Sequence, residues 1–171
     1  IHKPSAQHVL DDEYYKRIEA IQFTMSHDDG KKLDDITESD IVLLGVSRTS
    51  KTPTAIYLAN RGYKTVNIPL VLDQKIPKDL ESKDIKTCVV GLIAEPERLA
   101  DIRRNRVAMM KDTSIKEYTN LDFIKEEVNE SKRLFKRYNW PIIDVTRKSV
   151  EETAASILKI IEIKKRQWKL F

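Results

Sequence analysis

Ile41-Val42-Leu43-Leu44-Gly45-Val46-Ser47-Arg48-Thr49-Ser50-Lys51-Thr52 is the stretch on which the reading of this chain turns. Four consecutive apolar residues, bounded by polar ones, form the pattern of a strand buried on both faces. Gly45 lets the chain turn sharply off that strand. A helix is then predicted from about Lys51 to Asn60, with Pro53 tolerated in its first turn and Gly62 closing it. Strand, loop and helix together match the frame of a Walker A loop: Gly, four residues, then Gly-Lys-Thr/Ser. Here the frame reads Gly45, Val46, Ser47, Arg48, Thr49, then Ser50-Lys51-Thr52. In such a loop the backbone amides and the helix N-terminus face phosphates. Lys51 adds a mobile positive charge, and the Thr52 hydroxyl can hold Mg²⁺. Arg48, inside the loop, is also placed to meet a phosphate. The departure is Ser50 where the frame has its second glycine. If that position needs positive φ, serine carries strain of about 1 kcal/mol; otherwise the loop follows another path. An ordinary polar strand-to-helix loop is the alternative reading.

Outward from this loop the chain alternates. Thr65-Val66-Asn67-Ile68 reads as the next strand, ended by Pro69, and Thr87 to Ile93 as a third. Glu95 to about Lys111 reads as a basic helix, Leu121 to Tyr138 as another, and Pro141-Ile142-Ile143-Asp144-Val145 as a fourth strand. A final helix runs from about Val150 past Ile163. Upstream, a first helix is expected after Asp11 or Asp12, with Tyr14, Ile18, Ile21 and Met25 on one face. It ends at His27-Asp28-Asp29-Gly30, where glycine can take a left-handed backbone. Strands alternating with helices imply parallel pairing, hence a three-layer α/β fold with a P-loop-type nucleotide-binding loop at the carboxyl ends of the strands. Residues 1–40 are expected to form a helical segment belonging to the same domain as the 41–171 core.

The chain has 171 residues, 40% hydrophobic and 34% charged, with net charge +4. That length suits one domain with one core. The basic excess suits phosphate-bearing partners but is too scattered to indicate nucleic acid. One cysteine, Cys88, excludes an internal disulfide and a multi-cysteine zinc site, and its apolar surroundings predict a buried spectator thiol. Three histidines without metal-ligand spacing give no zinc site. No apolar stretch reaches the length of a membrane span, so neither a membrane nor a nucleic-acid partner is expected, and the cytoplasm is the expected location.

The loop and what surrounds it closely resemble the regulatory proteins of pyruvate, phosphate dikinase and phosphoenolpyruvate synthase. The resemblance rests on Gly45 to Thr54, on Ile56-Tyr57-Leu58-Ala59-Asn60, and on Asn67-Ile68-Pro69-Leu70. It continues through His27-Asp28-Asp29-Gly30, Glu95-Pro96-Glu97-Arg98-Leu99, Ile102-Arg103 and Ser149-Val150-Glu151-Glu152, in family order over nearly the whole chain. The family commonly has Asp-Pro where this chain has Glu95-Pro96, which keeps a carboxylate. Its members carry an additional N-terminal region. The chain opens on Ile1 rather than methionine and is therefore expected to be their C-terminal portion. The resemblance implies a bifunctional enzyme. With ADP it phosphorylates a threonine beside the catalytic histidine of the dikinase or synthase; with inorganic phosphate it removes that group and releases pyrophosphate. The ADP site it implies is Gly45 to Thr52.

Phosphoryl transfer needs charge neutralisation, alignment and a group to take the attacking hydroxyl's proton. Asp28 and Asp29 are the candidates for that base or for a Mg²⁺ ligand, since adjacent carboxylates repel and raise one pKa; a solvated turn is the alternative. Arg98, Arg103, Arg104 and Arg106 crowd one helix. Arg98 and Arg103 are about 140° apart around it, whereas Arg103 and Arg106 are i,i+3 neighbours that could grip a phosphate together; a solvated basic face is the alternative. Asp144 mimics a Walker B aspartate or caps the next turn. Two other functional classes fit the loop alone: a small-molecule kinase using ATP, and a non-catalytic nucleotide or nucleic-acid binding module whose affinity falls steeply with salt.

Overall fold

The structure is a computed structural model that describes the backbone of residues 4–27, 36–70, 76, 80, 87–110 and 119–169. Four strands form one parallel sheet: β1 (Ile41–Gly45), β2 (Thr65–Pro69), β3 (Cys88–Ile93) and β4 (Ile142–Asp144). Among the described residues five helices accompany them: α1 (Pro4–Ser26), α2 (Lys51–Asn60), α3 (Pro96–Met110), α4 (Leu121–Arg137) and α5 (Val150–Lys169), with a 3₁₀ turn at Ile36–Glu38. Boundaries fall within one or two residues of the sequence expectation everywhere except the start of α1, and α5 runs past Ile163 as expected.

The sheet order is β2-β1-β3-β4. The chain leaves β1 for β2 on one side, then crosses back to place β3 on the other, with Ile41 in register with both Thr65 and Cys88. The strand order thus reverses at β1. In open parallel sheets a ligand crevice lies at this switch point, outside the carboxyl ends of the strands.

Every residue of β1 is buried, as an unalternated apolar run requires when both sheet faces are covered. One face joins Ile41, Leu43, Val90 and Leu92 to Ala55 and Leu58 of α2 and to Ala154 and Ile157 of α5. The other joins Val42, Leu44, Val66, Ile68 and Val89 to Phe135 of α4. The result is the expected three-layer α/β arrangement. Gly91, on β3, is where that second face is tightest: a Cβ there would lie 2.4–2.6 Å from three ring carbons of Phe135. Glycine is needed so that α4 can seat its phenylalanine on the sheet.

Helix α1 departs from expectation. It starts at Pro4, not at Asp11 or Asp12. Proline suits a first turn, and the residues up to Asp12 include nothing that breaks a helix. Among its described side chains Ala20 and Thr24 are buried, as is His27 just past its end, while Tyr14 and Met25 are 57% and 64% exposed. The cause is close approach: α1 packs on α2 and β2, and the Thr24 hydroxyl accepts the Thr65 N–H at 3.1 Å. Tyr14 and Met25 lie roughly 120–140° around the axis from Ala20 and so face away. Among the described residues no helix is long and apolar enough to cross a membrane.

Candidate functional site

The loop leaves β1 at Gly45 and enters α2 at Lys51. Gly45 is not in a left-handed conformation, so it is not turn geometry that demands glycine there. A Cβ would lie 2.7 Å from Thr49 Oγ1 and 2.8 Å from the Leu92 carbonyl oxygen of β3. The missing side chain makes room for the loop to fold back over the strand end.

Strain instead sits at Arg48 and Ser50, with φ of 73° and 60°. Ser50 thus takes the positive φ that the frame's second glycine would supply without steric penalty. Each left-handed non-glycine residue costs about 1–2 kcal/mol, which persists only if surrounding contacts over-determine the conformation.

Those contacts are present. Thr49, fully buried, donates its hydroxyl to the Val46 carbonyl at 2.9 Å. Lys51 turns back under the loop, donating from Nζ to the same carbonyl at 2.8 Å and to Thr49 Oγ1 at 3.3 Å. The Ser47 carbonyl accepts from Arg103 Nη2 at 3.0 Å. Two successive carbonyls are therefore turned into the protein. The described peptide bonds are all trans, so each N–H points opposite its carbonyl. The N–H groups of Ser47 and Arg48 therefore point away from the Lys51 and Arg103 side. Ser50, at the N-cap of α2, makes no side-chain cap bond, and α2 directs the positive end of its dipole at the same region.

Thr52, half-buried in the first turn of α2, accepts from Asn67 Nδ2 at 3.4 Å. Asn67 is a buried amide between the apolar Val66 and Ile68 of β2, and its strand position opposite Leu43 brings it under the helix start. The Thr52 hydroxyl is an oxygen donor of the kind Mg²⁺ takes together with phosphate oxygens and water. Among the described residues no cluster of three or more His, Cys, Asp or Glu forms a metal site.

Other candidates fall in different places. Asp28 and Asp29 lie outside the described residues. His27 before them is buried, stacks on Phe23, and donates from Nδ1 to the Phe23 carbonyl at 2.7 Å, closing the end of α1. Arg98 and Arg106 are exposed on α3. Arg103 does not stand beside Arg106 at the surface: it is fully buried and pairs with Glu127 of α4 at 2.8 Å. Five residues on from Arg98, it falls on the side of α3 that packs against α4, which draws its guanidinium inward. Asp144 accepts from the backbone N–H and the hydroxyl of Thr146, and Thr146 in turn accepts the Glu95 N–H at 2.8 Å. It caps the turn after β4. The sequence reading missed Glu127 and Asn67 as parts of the site. A glutamate on the buried stripe of α4 and an asparagine inside an apolar strand were the available signals.

A family model described as kinase/pyrophosphorylase matches residues 1–158. Proteins carrying the name pyruvate, phosphate dikinase regulatory protein are similar over most of this chain. That of Pelagibacter ubique (strain HTCC1062) is 62% identical over 164 residues, covering 96% of the chain and 60% of the relative. That of Erythrobacter litoralis (strain HTCC2594) is 53% identical over 159 residues, covering 92% and 56%. The chain thus spans somewhat over half the length of these relatives. Matched by the family model over most of its length and carrying the loop and its supports in order, the chain belongs to the kinase/pyrophosphorylase family.

Proposed function

We propose that this chain is the nucleotide-binding part of a bifunctional, cytoplasmic regulatory enzyme. With ADP it phosphorylates a threonine of pyruvate, phosphate dikinase or phosphoenolpyruvate synthase; with inorganic phosphate it reverses the step and releases pyrophosphate. The observation that carries this reading is the loop at the sheet's switch point, whose Val46 and Ser47 carbonyls are tied inward so that successive amides face the opposite side. The names of the relatives point to the protein acceptor.

In this reading the Gly45–Thr52 loop holds the diphosphate of ADP. Lys51 exchanges its loop-carbonyl bond for the phosphate oxygens. Arg48, exposed at the loop's crest, and the surface arginines Arg98 and Arg106 neutralise charge on the phosphates or the partner. The Thr52 hydroxyl and the Asp28 and Asp29 carboxylates are the groups that would hold Mg²⁺, which neutralises charge on the phosphates when bound. Asp28 or Asp29 takes the proton from the attacking threonine.

The test uses the full-length protein, both partner enzymes in their phosphohistidine forms, and ADP labelled at its β-phosphate. Label should pass to a partner threonine. The Asp28→Asn and Asp29→Asn variants should depress turnover by about 10²-fold or more while shifting ADP affinity much less, the signature of a group acting in the transition state. Label transfer from ATP alone, or to neither partner, refutes the assignment. Wild-type rates in both variants return Asp28-Asp29 to the status of a turn.

A further inference from the structure

Arg103 and Glu127 come from α3 and α4, and both are buried, with side-chain exposures of 1% and 10%. The pairing is two-pronged: Nη1 lies 2.8 Å from Oε1 and Nη2 3.5 Å from Oε2. Taking two charges out of water is costly, and an apolar pair of similar volume commonly holds two helices together as well or better. Helix packing alone therefore does not account for charge at this place. What an apolar pair cannot do is donate to a carbonyl, and Arg103 Nη2 also reaches the Ser47 oxygen at 3.0 Å.

Ser47 O belongs to the peptide whose N–H is that of Arg48, one of the loop residues held at positive φ. Without an anchor, a left-handed arginine relaxes toward ordinary backbone geometry and the peptide plane turns. Arginine suits the task because its rigid fork can engage a carboxylate and a third acceptor in one plane, which an ammonium cannot.

We infer that Arg103, oriented by Glu127, is a positioning residue for the loop: it locks the Ser47–Arg48 peptide plane so that the Arg48 N–H faces a bound diphosphate group, without itself touching the phosphate. This rests on the proposed reading of the loop as the diphosphate site. It differs from a surface arginine gripping phosphate, because the guanidinium stays with Glu127 and the Ser47 carbonyl whether or not ligand is bound.

The experiment titrates full-length protein with ADP and, separately, with pyrophosphate by calorimetry, and records each variant's melting temperature. The double variant R103M/E127M replaces the pair with apolar side chains. It should melt at or above the wild-type temperature and yet bind both ligands about tenfold or more weakly. E127Q, which keeps shape but loosens the guanidinium, should lose about three- to tenfold, and R103K should not restore wild-type affinity. Amide resonances of Ser47 and Arg48 should shift in all three variants without ligand. Wild-type affinity in the folded double variant overturns the positioning role and leaves the loop's function standing. If the double variant fails to fold, unchanged affinity in E127Q overturns it equally. Wild-type protein that binds neither ADP nor pyrophosphate overturns the diphosphate reading, and the positioning role with it.

Discussion

Lys51 is bonded to its own loop, with its ammonium on the Val46 carbonyl. That posture satisfies a buried charge and keeps the carbonyl pointed inward; in the proposed reading the same residue also meets the phosphates. Lys51→Ala is expected to lower ADP affinity by one to two orders of magnitude, roughly 1.5–3 kcal/mol for a lost charged hydrogen bond. The fold should survive, because Thr49 still ties the loop to Val46. Calorimetry on the folded variant checks this, and unchanged affinity would remove the loop from the site. Cys88 behaves in the opposite way. Burial pushes its thiol above the ordinary range, partly countered by Lys164, so it remains protonated and inert as the sequence suggested. Its raised pKa means that the fold favours the neutral thiol. The associated stability is present below the ordinary thiol pKa and is lost as pH rises through the folded one. At pH 8 a thiol reagent should react about a hundredfold more slowly with native than with denatured protein, since access requires opening of the sheet.

At the scale of elements, α4 does two things at once. Phe135 fills the space left by Gly91, and Glu127 holds Arg103 against the loop. Its start is set by Asn120, whose side chain accepts from the N–H groups of Asp122 and Phe123 at 2.9 and 3.4 Å. Asn120→Ala should cost about 1 kcal/mol, read as a melting-temperature drop of about 2–4 °C for a domain of this size. The cap lies about two helical turns before Glu127, so ADP affinity should stay at the wild-type value. A combined loss of stability and affinity would show that the cap, and not the ion pair alone, sets the position of Glu127. Helix α2 is the contrasting case: its N-cap Ser50 is left-handed and makes no side-chain bond. The start of α2 is thus less well capped than that of α4, a local concession of stability at the place where the proposed reading puts an anion.

For the whole molecule, the sheet order decides where everything meets. Because β2 and β3 flank β1 on opposite sides, the strand that carries the loop is central, and ligand contacts can come from α3 and β2 as well as from the loop. One diphosphate-shaped site would then serve both directions of the proposed reaction. On that proposal, inorganic phosphate bound next to the phosphothreonine would attack it, the threonine oxygen would leave, and pyrophosphate would form in the place proposed for the two phosphates of ADP. Removal of the phosphate from the partner should therefore require added phosphate, yield one pyrophosphate per threonine freed, and be inhibited competitively by ADP. Lys51→Ala should weaken both directions together. Dephosphorylation in phosphate-free buffer that releases only orthophosphate would identify plain hydrolysis and rule out a shared site.

The order of strands and helices, the extent of α2 and the positions of Gly45, Ser50, Lys51 and Thr52 were legible because local rules govern them: an apolar run of strand length, a proline in a first turn, glycine after a helix, a fixed spacing of loop residues. The parallel pairing also followed, since helices between strands leave no other short connection. Local rules were silent wherever a residue's role depends on a partner far along the chain. Gly45 read as a turn glycine, yet it is β3, through the Leu92 carbonyl, and Thr49 that exclude a side chain there. Tyr14 and Met25 read as one face with Ile18 and Ile21, but the close seat against β2 buries Ala20 and Thr24 instead. Arg103 read as one of two arginines gripping a phosphate, or as part of a solvated basic face; Glu127, 24 residues on, draws it inside. Spacing along the sequence fixes what a residue can do within its own turn or strand, whereas charge pairing and steric exclusion act across space, and the chain's path had to be folded before either could be seen.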